Sequence, residues 1–336
     1  MTLVTFWFIV LVVLWTGFLV LEGFDFGVGM LHGVVGRDEQ GRRLAIQTIG
    51  PLWDGNEVWL IVAAAGTFAA FPGWYATMFS GLYLAMVVLL VALIARGVSF
   101  EFYGKRDGAG WRRAWDVATT YGSLLAPLLV GIALGNLLHG VPIGSDQEYA
   151  GNLVDLLNPY SLCCGLVLVL LCLLHGASFL ALRTSGELRQ RALRVGRLLG
   201  PLAAVAVTGF AVWTQATAGG GSPLSPPGVV AVLAALAAAW LVGRGRDALA
   251  FAATAVTMAA VVVTIFVALY PRVMVSTLGS GNDLTIANTA SSPYTLKVMT
   301  VTAAILFPVV LAYQGWTYYV FRRRVGGDAA DLERVR

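Results

Sequence analysis

Two short acidic stretches are the places where this sequence could do chemistry. The first is Glu22-Gly23-Phe24-Asp25-Phe26-Gly27-Val28-Gly29-Met30, and the second is Gly50-Pro51-Leu52-Trp53-Asp54-Gly55-Asn56-Glu57-Val58-Trp59. Each lies at one end of a long apolar run. Carboxylates are costly in hydrocarbon, so these groups should face protein or water rather than lipid. At about 100° per residue, Glu22, Asp25, Gly29 and His32 share a sector of about 80° on one helix. Gly23, Gly27 and Gly29 would let another helix come close to that face. Two readings stay open: a hydrogen-bonded packing element, or a proton relay along a water-filled path.

The second stretch reads as the start of a helix. Gly50 can enter it, and Pro51 suits its first position. Asp54 then falls in the first turn, with Glu57 one turn further on the same face. The helix N-terminus stabilises such carboxylates by about 0.3–1 kcal/mol, which is one sufficient reason for them to be there. The other is proton entry from the cytoplasm at Asp54, which has Gly55 and Asn56 beside it. Trp53 and Trp59 read as interfacial anchors rather than electron carriers.

The elements that hold these groups follow from composition. The chain has 336 residues, of which 58% are hydrophobic and 12% charged, with a mean hydropathy of +0.78. Soluble domains are about 45–50% apolar and about 25% charged, so this is an integral membrane protein. The first apolar run lacks a basic n-region and a small-residue cleavage site, and reads as a retained helix. The net charge of +4 reports topology, not affinity for nucleic acid. Cys163, Cys164 and Cys172 lie in one apolar run, without disulfide or metal spacing. His32, His139 and His175 form no paired set of the depth and spacing that haem ligation needs, so no haem ligand, metal site or catalytic residue is expected on this chain.

A spanning helix takes about 20 apolar residues. Nine runs qualify: 3–32, 50–71, 74–95, 115–138, 158–182, 198–218, 227–243, 247–270 and 295–321. The seventh is short, bounded by Pro226-Pro227 and Gly243. Basic residues test the count. Arg96 is grouped with Lys105, Arg106, Arg112 and Arg113 in one loop, and all Lys and Arg except Arg272 and Lys297 fall in alternate loops or the tail. The positive-inside rule then puts the N-terminus outside and the C-terminus inside. The expected fold is an all-α polytopic membrane protein of nine transmembrane helices. It is a single membrane-embedded domain over 1–336, with a short cytoplasmic tail over 325–336.

The acidic stretches, with Phe79-Ser-Gly-Leu-Tyr-Leu-Ala-Met86, Gly135-Asn-Leu-Leu-His-Gly-Val-Pro142, Leu157-Asn-Pro159, His175-Gly-Ala-Ser178 and Ser291-Ser-Pro-Tyr-Thr-Leu296, resemble subunit II of cytochrome bd-type quinol oxidases. The segments occur in order and run from the first apolar run to the ninth. The resemblance implies a terminal oxidase of a bacterial cell membrane that oxidises quinol and reduces dioxygen to water. It implies two haems b, one haem d and the quinol-oxidation site on subunit I, with this chain as the haem-poor partner of a pseudo-symmetric heterodimer. Small single-helix accessory subunits often join in the family, and some relatives hold a structural quinone in subunit II. The family's proton pathway carries over to Asp54 and, through the Gly-Phe-Asp motif, to Asp25. Glu22 keeps the charge of the Asp often found there.

The residues alone admit other functions. Nine helices with intramembrane acids would also suit a secondary transporter, but no paired interrupted helices mark a midplane substrate site. A purely structural subunit with no part in proton transfer is the third reading.

Overall fold

The computed structural model describes residues 2–219 and 224–325. The tail expected over 325–336 lies almost wholly outside the described residues, as does part of the 218–228 link. Among the described residues there are eleven α-helices: α1 (Leu3–Val35), α2 (Glu39–Gln47), α3 (Trp53–Ala70), α4 (Pro72–Gly81), α5 (Tyr83–Phe102), α6 (Ala109–His139), α7 (Pro159–Arg183), α8 (Gly186–Thr217), α9 (Pro226–Gly243), α10 (Asp247–Leu269) and α11 (Pro293–Val320). Eight of them are long and apolar enough to cross a membrane: α1, α5, α6, α7, α8, α9, α10 and α11. The chain is an all-α, multi-pass membrane protein.

The short run bounded by Pro226-Pro227 is among these eight, as α9. The one expected span that falls short is α3. It has 18 residues, about 27 Å at 1.5 Å per residue, but Asp54, Asn56 and Glu57 crowd its first turns. Two local expectations are corrected. Pro51 does not open α3, because residues 48–52 form a turn and Leu52 is the N-cap. The run at 74–95 is not one helix: α4 ends at Gly81 and α5 begins at Tyr83, with Leu82 between them.

The core is built around α1 and α7. Helix α1 packs on α3, α6, α7 and α10, and its 33 residues reach well beyond a bilayer core of about 30 Å. The α1–α7 crossing is tight because Gly27 meets Gly176. A Cβ added at Gly27 would lie 1.9 Å from the Cys172 carbonyl oxygen, and one at Gly176 would lie 2.4 Å from the Gly27 carbonyl carbon. Only backbone atoms can occupy that space, which is what small residues at membrane helix contacts provide.

Helix α11 is attached differently. It returns to touch α1 and α3, yet Leu296 is its sole buried residue among those described. Val301, Ile305, Leu306, Val309 and Val310 point away from the rest of the chain. At the end of the molecule bearing the α6–α7 and α10–α11 loops, a two-stranded antiparallel sheet, β1 (Arg272–Met274) with β2 (Leu284–Thr285), caps the bundle. Val141 of the α6–α7 loop pairs with Ser276 beside it.

Candidate functional site

The acidic face of α1 is turned wholly inward. Glu22 and Asp25 are both 0% exposed, and each is met by a polar group from another helix. Arg96 comes from α5 and is itself 0% exposed. Its Nη1 lies 2.5 Å from Glu22 Oε1 and 3.4 Å from Glu57 Oε2 of α3. The guanidinium sits 4.9 Å above the Phe26 ring and 5.2 Å above the Phe100 ring, so aromatic faces take up the part of the cation that carboxylates do not reach. Arg96 is thus not a loop residue of a cytoplasmic basic cluster, as its place in the sequence suggested. It is the cation of a buried acid site.

Asn56 is the second organising residue. The amide of this α3 residue donates from Nδ2 to Asp25 Oδ2 at 2.6 Å and to the Leu21 carbonyl at 3.2 Å. Its Oδ1 accepts from Gln314 Nε2 at 2.8 Å and from the Tyr318 hydroxyl at 2.9 Å, both on α11. One side chain therefore ties α1, α3 and α11 together and fixes the orientation of Asp25. Not every polar atom is matched. Glu22 Oε2, Asp25 Oδ1, and Arg96 Nε and Nη2 are buried without a hydrogen-bond partner among the described residues. Buried polar atoms in that state are ordinarily satisfied by water.

The four expected residues are not equivalent. Glu22 and Asp25 form the buried floor. Glu57 bridges outward, with 22% of its side chain exposed. Asp54 is exposed at the start of α3, close enough to Glu57 for its charge to be felt there. Together they grade from solvent to core, although the buried polar hub is Asn56 rather than Asp54. Trp59 is corrected: it is buried in the core, against Phe307 and over Gly17, and does not anchor an interface.

A second polar group lies further along α1. His32 Nε2 is 3.0 Å from Asp116 Oδ1 on α6, and Arg42 of α2 meets the other Asp116 oxygen at 2.6 Å. His32 Nδ1 lies 2.7 Å from the Gly29 carbonyl. Near that end, burial together with Asp116 and Glu39 pushes the Tyr103 phenol above its ordinary pKa.

Two of the three histidines have both ring nitrogens in contact with protein groups. Both ring nitrogens of His32 are engaged. His175 is held by Thr254 Oγ1 at 2.7 Å and the Val20 carbonyl at 3.1 Å, stacked on Phe251. His139 is exposed and stacks on Tyr160. Among the described residues no three His, Cys, Asp or Glu side chains converge as a metal site.

The comparisons with known proteins decide the family. The sequence matches the family described as cytochrome bd terminal oxidase subunit II over residues 3–321. The chain belongs to that family. It is a subunit of a respiratory terminal oxidase complex, not a transporter. It is 44% identical to the cytochrome bd ubiquinol oxidase subunit 2 of Bacillus subtilis, over 95% of this chain and 96% of that one. It is 35% identical to the cytochrome bd-I ubiquinol oxidase subunit 2 of Escherichia coli, over 98% and 96%. The fold matches a chain of the bd oxidase from Geobacillus thermodenitrificans with a TM-score of 0.69. That match has 20% identity and covers 95% of this chain and 99% of the other. The family implies haem in the complex and a subunit I beside this chain.

Proposed function

We propose that this chain is the haem-poor half of a cytochrome bd-type quinol oxidase, and that it holds protons for dioxygen reduction at the Glu22–Asp25–Arg96 cluster. The observation that carries the reading is the composition of that cluster. Glu22 and Glu57 both meet the one Arg96 guanidinium, and Asp25, one turn along α1 from Glu22, adds a third carboxyl group with no cation of its own. A simple structural ion pair needs one acid for one base. A surplus of carboxyl groups with unpartnered oxygens is what a site needs to take up and pass on a proton. Asp54 and Glu57 form the approach from the cytoplasm, and the cluster lies about two to three helix turns deeper than His32 along α1.

In this reading the complex oxidises a membrane quinol and reduces dioxygen to water. Subunit I carries the two haems b, the haem d and the quinol-oxidation site. The chain crosses a bacterial cell membrane nine times, with the N-terminus outside and the C-terminus cytoplasmic. Helix α3 is the ninth crossing, and α4 with α5 makes a single one. Its exposed apolar ridge on α11 is covered by subunit I or lipid, and a small single-helix subunit or a structural quinone can join. The alternation of basic loops and the engaged nitrogens of His32 and His175 support this division of labour.

Two preparations test it. The complex purified in mild detergent should show type b and type d bands in a reduced-minus-oxidised spectrum, together with a second large polypeptide that keeps the haem when the subunits are separated. Asp25→Asn should then lower turnover per haem about tenfold or more, on the scale of lost proton-transfer groups. Unchanged turnover per haem in Asp25→Asn and in Glu22→Gln would leave the chain a structural subunit only.

A further inference from the structure

The buried cluster has a second polar line leading to it, along the seam between α1, α5 and α6 and separate from the α3 approach. Asp116, Thr119 and Ser123 occupy one face of α6 at i, i+3 and i+7 spacing. They face His32 and Gly29 of α1 and Ser99 of α5. At the outer rim of the seam Asp116 is 15% exposed and Arg42 37%, so water reaches them. One turn in, Thr119 and Ser99 share a hydrogen bond of 2.6 Å, and Ser99 donates to the Arg96 carbonyl at 2.5 Å. A further turn in, Ser123 is 0% exposed, and its hydroxyl has no hydrogen-bond partner among the described residues.

The position of Ser123 is built rather than incidental. A Cβ at Gly29 would fall 2.0 Å from Ser123 Oγ, so only glycine leaves room for the hydroxyl there. The preceding residue, Gly122, abuts Arg96: a Cβ there would lie 2.8 Å from the Arg96 Cβ. Gly122 is one residue from Ser123, so the turn of α6 that carries the unpartnered hydroxyl is the one packed on Arg96, whose Nε and Nη2 are also unpartnered. His32 supplies the other end. Its Nδ1 lies against the Gly29 carbonyl and its Nε2 against the Asp116 carboxylate, so the ring joins the rim of the seam to the α1 backbone.

We propose that the α1–α5–α6 seam is a second inlet for protons, in which Asp116 and His32 collect a proton from the cytoplasmic face and Ser123, through bound water, passes it to the Glu22–Asp25–Arg96 cluster. The hydroxyl gives up one proton as it takes another, so no charge is left on it. His32 and Ser123 are relay residues and touch no substrate. The proposal rests on the reading of that cluster as a proton-holding site, and adds a route in parallel with the one that starts at Asp54.

Parallel routes have a signature that a structural role lacks: each alone is dispensable, and both together are not. The test uses the whole oxidase complex in lipid vesicles. Dioxygen consumption is read per haem, so losses of assembly are divided out, and proton uptake in a single turnover is read with a pH dye. Ser123→Ala suits this because it removes a hydroxyl that holds no protein partner. Ser123→Ala and Asp54→Asn should each leave about half of the rate, and the double variant should fall at least tenfold. His32→Gln should behave as Ser123→Ala does. If Ser123→Ala is silent in both the parent and the Asp54→Asn background, or if Asp54→Asn alone stops proton uptake, the seam is not an inlet. Asp25→Asn in the same assay separates the two ideas. If it abolishes uptake while Ser123→Ala is silent, only the seam is wrong. If it leaves uptake intact, the cluster reading has failed and the seam proposal falls with it.

Discussion

Replacing Arg96 by leucine should be the most damaging single change at the site, and its cost can be worked from the geometry. Arg96 is fully buried, and it is the only cation within ion-pair distance of Glu22 among the described residues. Removing one partner of a buried ion pair typically costs about 3–5 kcal/mol, because the other charge is left uncompensated. The two aromatic contacts, at 4.9 and 5.2 Å, add about 1 kcal/mol. At about 2 °C per kcal/mol for a chain of this size, the midpoint of thermal haem loss from the complex should fall by about 8–12 °C. The second half of the prediction is the discriminating one. Arg96→Leu combined with Glu22→Gln removes the cation and the acid nearest to it, and exchanging a buried pair for neutral groups is often close to neutral, although Asp25 and Glu57 still lose their cation. The double variant should recover part of the lost midpoint, while turnover per haem stays low because the cluster can no longer balance a proton. The assay is a thermal ramp followed at the haem absorbance, with turnover measured on the same samples. A single variant within about 1 kcal/mol of the parent, or a double variant no better than the single, would refute the reasoning.

Other changes should follow from the same contacts. Asn56→Leu strands Asp25, Gln314 and Tyr318 at once and should cost about 2–4 kcal/mol, read as faster proteolysis of the loops flanking α11. Gly27→Ala forces a methyl against the α7 backbone and should cut the yield of assembled complex several-fold, whereas Gly33→Ala, with nothing within 4 Å, should not. Asp247→Asn weakens the clamp that Asp247 makes on Arg189 and Arg324. It should lower the thermal midpoint by about 1–3 kcal/mol equivalent without changing turnover per haem, since Asp247 lies outside the acid site.

The acidic side of this site was legible in the sequence because it depends only on local periodicity. Glu22, Asp25 and His32 recur on one helical face, and their cost in hydrocarbon predicts that the face is turned inward. Their partners were not legible, for a physical reason in each case. Arg96 stands at the end of an apolar run, where the positive-inside pattern gives an arginine a sufficient reason to be. Its burial depends on α5 continuing to Phe102 and on Phe26 arriving from α1. The signal that could have found it is the presence of two acids and one arginine at a similar membrane depth on neighbouring spans. Gln314 and Tyr318 lie about 260 residues from Asn56, beyond the reach of any local pattern. The break at Leu82 leaves no proline or charge to announce it. Trp59 carries the aromatic signature of an interface, but α1 offers it Gly17 to pack on. Charged and amide partners across helices are set by tertiary packing, whereas the helix runs themselves are set by composition.

The most direct test of the central claim is single-turnover proton uptake by the vesicle-embedded oxidase carrying Glu22→Gln and Asp25→Asn together, with the haem spectrum unchanged. The account predicts that dioxygen still binds the reduced enzyme at its normal rate while proton uptake slows about tenfold or more. Uptake at the parent rate in a fully haem-loaded complex would contradict it, and would make the buried acid cluster a device for holding α1, α3 and α5 together.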